Sequence, residues 1–186
     1  MASSAAAAVP FGTTGVNVAR VGFGAMGITS FYAGTAATEE EGIKAIEAYV
    51  AAAAPALAHI DTALIYSNKR EGGRHNEEVV GEALRRVGRE KVFLATKGSM
   101  SMSFQPDSSD EGLRAQLASS LARLGVASVD LYYEHRRDVK TPIEQVAATF
   151  KALKEEGKIR FAGLSECTAD ELRRACAVFQ ISAIQM

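Results

Sequence analysis

Cysteine is scarce in this chain: two of 186 residues, Cys167 and Cys176, with neither a C-x-x-C pair nor a metal-ligand spacing. That leaves no framework for a disulfide-stapled fold and points to packed thiols in a reducing compartment. Charge of either sign is also not in excess. The formal net charge is -1, so no basic field exists to attract nucleic acid or anionic lipid. No apolar run approaches the roughly 20 residues that a membrane span needs. The first ten residues contain no acid and no Arg precedes Arg20, so an Arg-rich transit peptide is a poor description of them. They are expected to be a short disordered tail (1–10), with one domain over 11–186 and no linker or low-complexity stretch within it. A cytoplasmic protein is expected. The apolar content, 47% hydrophobic against 23% charged residues, is that of an ordinary globular chain with a real core.

After residue 11 one unit recurs: a short apolar strand, a polar loop and an amphipathic helix. Strands are expected at residues 21–24, 58–61, 91–96, 129–134, 159–164 and 183–185. Most are continuous apolar runs, as in a parallel sheet covered on both faces. Thr38 with Glu41, Ser108 with Glu111, Thr141 with Glu144 and Thr168 with Glu171 fit the S/T-x-x-E capping box, in which hydroxyl and carboxylate satisfy free helix N–H groups. Pro142 suits a first helical position, and Gly125 and Gly157 suit left-handed helix stops. Strict βα alternation means an α/β fold, either a barrel or a doubly wound sheet. Residues 11–21, with turn residues 12–15, read as a small hairpin before the first unit.

Gly22-Phe23-Gly24-Ala25-Met26-Gly27 matches G-x-G-x-x-G. The dinucleotide fingerprint needs those glycines to open a helix directly. Here residues 28–34, with Ser30, Tyr32 and Gly34, start a helix poorly, and the next helix begins near Glu39. The motif reads instead as a strand end whose small residues let a ligand approach the backbone, or as a glycine-rich turn with no ligand at all.

Reactive side chains in βα folds collect where strands end and loops begin. Asp61 ends the second strand and Tyr66 follows in its loop; the third ends at Lys97, the fourth in Tyr132-Tyr133-Glu134-His135. Each has an ordinary reading: a rim tyrosine, a solvated lysine, a structural histidine, a turn-capping aspartate. What argues for function is that all four occupy consecutive strand ends. Adjacent parallel strands lie about 4.8 Å apart, close enough for the groups to share a pocket. A phenol, with a pKa of about 10, is a poor proton donor at neutral pH, and a neighbouring ammonium helps by stabilising the phenolate. A carboxylate would keep that ammonium charged, and an imidazole donor would hold a carbonyl oxygen in place. Such a set suits protonation of an alkoxide as hydride reaches a carbonyl carbon.

Taken with the remaining motifs, the chain resembles the aldo-keto reductase family. The resembling residues are Gly12–Gly15, Gly22–Gly27, Asp61-Thr62-Ala63-Leu64-Ile65-Tyr66, His75-Asn76-Glu77-Glu78 and Ala95-Thr96-Lys97. They continue with Leu124-Gly125-Val126, Asp130-Leu131-Tyr132-Tyr133, His135-Arg136, Glu156–Arg160 and Gly163-Leu164-Ser165-Glu166, in order, over almost the whole chain. The resemblance implies a (β/α)₈ TIM-type barrel and a catalytic tetrad of Asp61, Tyr66, Lys97 and His135. Tyr66 would be the proton donor, Lys97 and Asp61 would tune it, and His135 would orient the carbonyl. It implies NADPH/NADP+ bound without a dinucleotide fingerprint, its nicotinamide half contacting Gly24, Ala25, Met26, Asp61, Ser165 and Gln185. The partner it implies is a small carbonyl substrate, and no metal is called for. The branch most resembled holds plant and algal aldehyde, ketone or pyridoxal reductases.

Two departures stand out. Glu166 stands where family members commonly carry Asn, and the loop 67–74, rich in Lys, Arg and Gly, is long. A full (β/α)₈ barrel takes about 250 residues, so a barrel truncated after about six strands is expected, open to self-association through its sheet edges. A catalytically silent interaction partner is the alternative to a reductase. A barrel enzyme using Asp61 and His135 on a metal is a third.

Overall fold

The computed structural model describes residues 7–30, 38–67, 73–101 and 103–186. Strands β1 (Ala8–Pro10) and β2 (Asn17–Ala19) form an antiparallel hairpin, with Ala8 opposite Ala19. Of the expected disordered tail, residues 1–6 lie outside the described residues and residues 8–10 are strand, so the hairpin begins earlier than Phe11. Its turn places Gly12 and Gly15 at φ +53° and +78°, values that favour glycine.

The repeating unit supplies β3 (Phe23–Gly24), β4 (Ala58–Asp61), β5 (Val92–Gly98), β6 (Val129–Glu134), β7 (Ile159–Ser165) and β8 (Ile181–Gln185). Helices α1 (Met26–Thr29), α2 (Glu39–Ala53), α3 (Asn76–Val87), α4 (Asp110–Leu124), α5 (Ile143–Glu155) and α6 (Ala169–Val178) connect or flank them. The hydrogen-bonded strand order is the chain order, β3-β4-β5-β6-β7-β8. The pairs β3/β4, β4/β5, β6/β7 and β7/β8 are parallel. A doubly wound sheet reverses strand order at a switch point; this one does not, which makes it the barrel-type (β/α) topology. Val21 is 60% exposed and outside β3, because only Phe23 and Gly24 find partners on β4.

Contacts divide the chain into two compact units. The first holds Met1–Thr62, Tyr66–Ala95 and Arg123–Gly125; the second holds Ala63–Ile65, Thr96–Ala122 and Val126–Met186. In the first, Ile43, Ile46 and Val50 of α2 and Val79, Val80, Ala83 and Leu84 of α3 are buried with Ile60, Phe93 and Leu94 of the sheet. Phe11 of the hairpin turn packs on Phe93 with ring centroids 4.8 Å apart, and Ala19 donates to the Leu57 carbonyl. Gly81 lets α3 approach the end of α4, since a Cβ there would lie 2.7 Å from the Leu124 carbonyl oxygen. In the second unit every residue of β6 is buried, and Leu113, Leu117, Ile143, Val146 and Phe150 cover the sheet.

Two of the four expected capping boxes form. Thr38 accepts from the Glu41 amide while the Glu41 carboxylate accepts from Thr38, and Thr168 with Glu171 does the same. His75 supplies an unexpected cap: its Nδ1 accepts from the Glu77 amide and its own amide donates to Glu78. The other two boxes are replaced by tertiary bonds. Ser109, not Ser108, caps α4 by accepting from the Gly112 amide, because the Ser108 hydroxyl donates to buried Glu134 at 2.6 Å. The Thr141 hydroxyl donates to Asp138, leaving Pro142 as the N-cap of α5 with no side-chain cap. Gly125 and Gly157 stop their helices at φ +67° and +70°.

Candidate active site

The glycine motif ends one strand and makes a single helical turn. Gly24 sits opposite Asp61, and the Ala25 amide donates to the Asp61 carbonyl at 2.8 Å. Helix α1 is only four residues long and ends at an extended Ser30, so the glycines open no long helix of the dinucleotide-fingerprint kind. Tyr32 and Gly34 lie outside the described residues. Gly24 is exposed, with nothing within 4 Å of a Cβ built on it. Ala25 is fully buried, and both its backbone groups bond within the protein: N–H to Asp61, carbonyl from the Asn76 side chain. Ala25 therefore ties the turn to Asp61 and Asn76, while the Gly24 backbone lies at the surface.

Tyr66 follows β4 by five residues and is buried, its carbonyl accepting from the Asn76 amide at 3.1 Å. The Ser67 carbonyl accepts from the Ser30 hydroxyl at 2.7 Å. Beyond it, residues 68–72 of the long loop lie outside the described residues; Arg74 at its far end pairs with Glu39 at 2.8 Å. The first unit thus holds Gly24, Ala25, Met26, Asp61 and Tyr66.

The second unit holds Lys97, His135, Ser165 and Gln185. Lys97 is completely buried near the end of β5, its Nζ 5.9 Å from the centroid of the Tyr133 ring. The Leu64 amide donates to the Lys97 carbonyl at 3.1 Å, so the segment just before Tyr66 is tied to that strand end. One residue on, the Gly98 carbonyl accepts from the His135 amide, which sets the end of β6 beside the end of β5. Burial, with the positive charges of Lys97 and Arg136 adding to it, pushes the His135 imidazole down to about 3. His135 is therefore neutral at physiological pH and can donate a hydrogen bond without carrying charge.

This state has a measurable consequence. An unfolded histidine titrates at about 6.5. Between that value and about 3 the unfolded chain binds a proton that the folded chain does not. Stability must then fall as pH drops through this window, by up to about 1.4 kcal/mol per pH unit from this residue. Comparing urea unfolding at pH 7 and pH 5, His135→Gln is expected to lose about 2 kcal/mol less than wild type. Equal losses in the two proteins would show that the imidazole is charged in the fold.

Ser165 and Gln185 are in register on β7 and β8, and the Glu166 amide donates to the Gln185 carbonyl. Arg136 donates to the Ser165 hydroxyl at 3.3 Å and pairs with Glu166 at 3.1 Å. Glu166 has φ +53°, a left-handed conformation that places it directly after the strand. The departure from Asn is thus accommodated by an ion pair with the arginine that follows His135.

Sequence reasoning passed over three residues here. Glu134 is buried; burial raises its carboxyl, while Ser108 and Arg137, the latter 2.6 Å away, act the other way. Ser99 is buried at φ +70° and brackets Arg136, its hydroxyl donating to the Arg136 carbonyl and accepting from its amide. Asn76 bonds to three separate segments. The available signal was a polar residue beside a buried strand or at a helix start, which does not name a partner. Among the described residues no three of His, Cys, Asp and Glu cluster as metal ligands, and no helix is long and apolar enough to cross a membrane.

The family model for the aldo/keto reductase family matches residues 20–186. The chain belongs to that family. It is 39% identical over 182 residues to probable aldo-keto reductase 1 of Glycine max, covering 96% of this chain and 50% of that protein. Against aldo-keto reductase yakc [NADP(+)] of Schizosaccharomyces pombe it is 37% identical over 179 residues, covering 91% of this chain and 48% of the relative. Among solved structures, aldo-keto reductase AKR11C1 from Bacillus halodurans in its holo form superposes with a TM-score of 0.76 at 27% identity, over 95% of this chain and 56% of that one. The chain spans about half the length of the curated relatives it matches. The family match agrees with the chain-order β3–β8 sheet, the barrel-type (β/α) topology described above.

Proposed function

We propose that this chain serves the NADPH-dependent reduction of an aldehyde or ketone to an alcohol. The observation that carries the reading is a buried ammonium and a neutral buried imidazole, Lys97 and His135, on neighbouring strand ends. A neutral imidazole can hold a carbonyl oxygen by a hydrogen bond, and a buried ammonium stabilises negative charge formed near it. NADPH, when bound, supplies the hydride. The residues proposed to contact its nicotinamide half include Gly24, whose backbone is exposed, and polar Ser165 and Gln185, which are in register on β7 and β8. That the Schizosaccharomyces pombe relative is named for NADP(+) supports the same cofactor.

In this reading Asp61, Tyr66, Lys97 and His135 act as one set. His135 orients the carbonyl. As hydride adds to its carbon to form the new C–H bond, the π pair would move onto oxygen, and Tyr66 would transfer its hydroxyl proton there to complete the alcohol. The phenolate left on Tyr66 is stabilised by Lys97, whose charge Asp61 offsets. The two free cysteines agree with a reducing, cytoplasmic setting.

The test is to titrate the purified 186-residue chain with NADPH, following cofactor fluorescence, and then to follow NADPH oxidation on adding aldehydes. Saturable binding and aldehyde-dependent turnover are expected. Folded, monodisperse protein that binds no NADPH would overturn the reading and favour a catalytically silent chain.

A further inference from the structure

One buried polar cluster is not needed by any step above, yet it touches three segments that the reaction uses. Asn76, the first residue of α3, is completely buried. Its Nδ2 donates to the Ala25 carbonyl at 2.9 Å and to the Thr29 hydroxyl at 2.8 Å. Its Oδ1 accepts from the Thr62 hydroxyl at 2.6 Å. Its backbone amide donates to the Tyr66 carbonyl. Thr62 is also completely buried and follows Asp61 directly; Thr29 is 5% exposed and ends α1.

We infer that Asn76 is a positioning residue for the reductase reaction, joining the nicotinamide-facing turn to the segment that carries Asp61 and Tyr66. This rests on the reading given under Proposed function. A carboxamide can supply two donors and an acceptor in one plane, and here both amide protons and the oxygen are used. No hydrophobic residue could hold these strands' ends in register, and a hydroxyl would reach only one of them. A first-turn helix N–H has no partner within its own helix; here the Tyr66 carbonyl fills that position, so the start of α3 sets the height of the tyrosine loop. Ser30, 2% exposed, adds a second tie through the Ser67 carbonyl. Buried networks of this kind gain rigidity when every member is satisfied and lose it when one is removed. Misplacing a reacting group by about 1 Å can cost roughly 100-fold in rate.

Asn76→Ala is expected to lower kcat by roughly 10- to 100-fold and to weaken NADPH binding, with the carbonyl KM little changed. Because that variant leaves buried groups unpaired and can fail to fold, Thr62 provides the decisive pair. Thr62→Val keeps the shape and removes the donor to Asn76; Thr62→Ser keeps the donor. Thr62→Val should lower kcat and weaken NADPH binding by up to roughly tenfold each, and Thr62→Ser should restore both. Amide hydrogen exchange should quicken in residues 23–26 and 61–67 of Thr62→Val while Ile159–Ser165 stays protected.

If the two Thr62 variants match in kcat and in NADPH affinity while the wild type turns over, this inference fails and the reductase reading stands. A wild-type chain with neither NADPH binding nor turnover would overturn both.

Discussion

Tyr66→Phe is expected to lower turnover about 1000-fold while the NADPH affinity stays within about twofold of wild type. The ring is buried, and phenylalanine keeps its volume, so the substitution removes the hydroxyl with little change in packing. A factor of 1000 corresponds to about 4 kcal/mol of transition-state stabilisation, within the range a positioned general acid contributes. The loss should lie in kcat and kcat/KM alike, because the proton is transferred only as the alkoxide forms. Its pH dependence is also constrained. With His135 held down at about 3, no limb of the activity profile between pH 5 and 8 belongs to that imidazole. Steady-state kinetics of both proteins across that range, with circular dichroism to verify folding, make the measurement. Activity of Tyr66→Phe within threefold of wild type would remove Tyr66 from the proton-donor role.

Gly98→Ala is expected to destabilise the second unit by about 3 kcal/mol or more. A Cβ on Gly98 would overlap the Tyr132 hydroxyl oxygen and sit 2.8 Å from its ring carbon Cζ. Tyr132 cannot swing aside: it is completely buried, its hydroxyl donates to the Leu113 carbonyl at 3.2 Å, and its ring meets Phe150 edge-on at 5.9 Å. Overpacking and a lost hydrogen bond add, against a total stability of about 5–15 kcal/mol for a domain. Gly98 also separates Lys97 from Ser99, so any relief by shifting β5 moves the lysine. Urea unfolding should show the loss, and Gly98→Ala combined with Tyr132→Phe should recover part of it by deleting the clashing oxygen. A loss under about 0.5 kcal/mol for Gly98→Ala alone would show that the packing at this strand end is looser than described.

Much of the architecture was legible because it is written in short-range terms. Strand β4 and strand β6 occupy the residues expected of them, and Asp61, Lys97 and His135 lie at or next to strand ends as read. Where the reading slipped, a distant partner had won. Ser108 and Thr141 stand at the spacing of capping residues, yet their hydroxyls serve Glu134 and Asp138. Residues 8–10 look like a featureless tail until Asn17–Ala19 pairs with them.

By itself the sequence determined the βα alternation, the glycine stops at 125 and 157, and the helix starts at Thr38 and Thr168. Each depends on residues at most four apart, whose periodicity and hydrogen bonding repeat wherever the pattern occurs. Only the tertiary structure decided between a doubly wound sheet and barrel topology, since that choice lies in strand order. It alone decided that His135 is neutral, because burial and the charges of Lys97 and Arg136 are properties of the packed chain. It alone gave Asn76 a role, through bonds to Thr62, 14 residues away, and Ala25, 51 residues away. A side chain's chemistry is local, but its desolvation and its partners are set by what the fold brings against it.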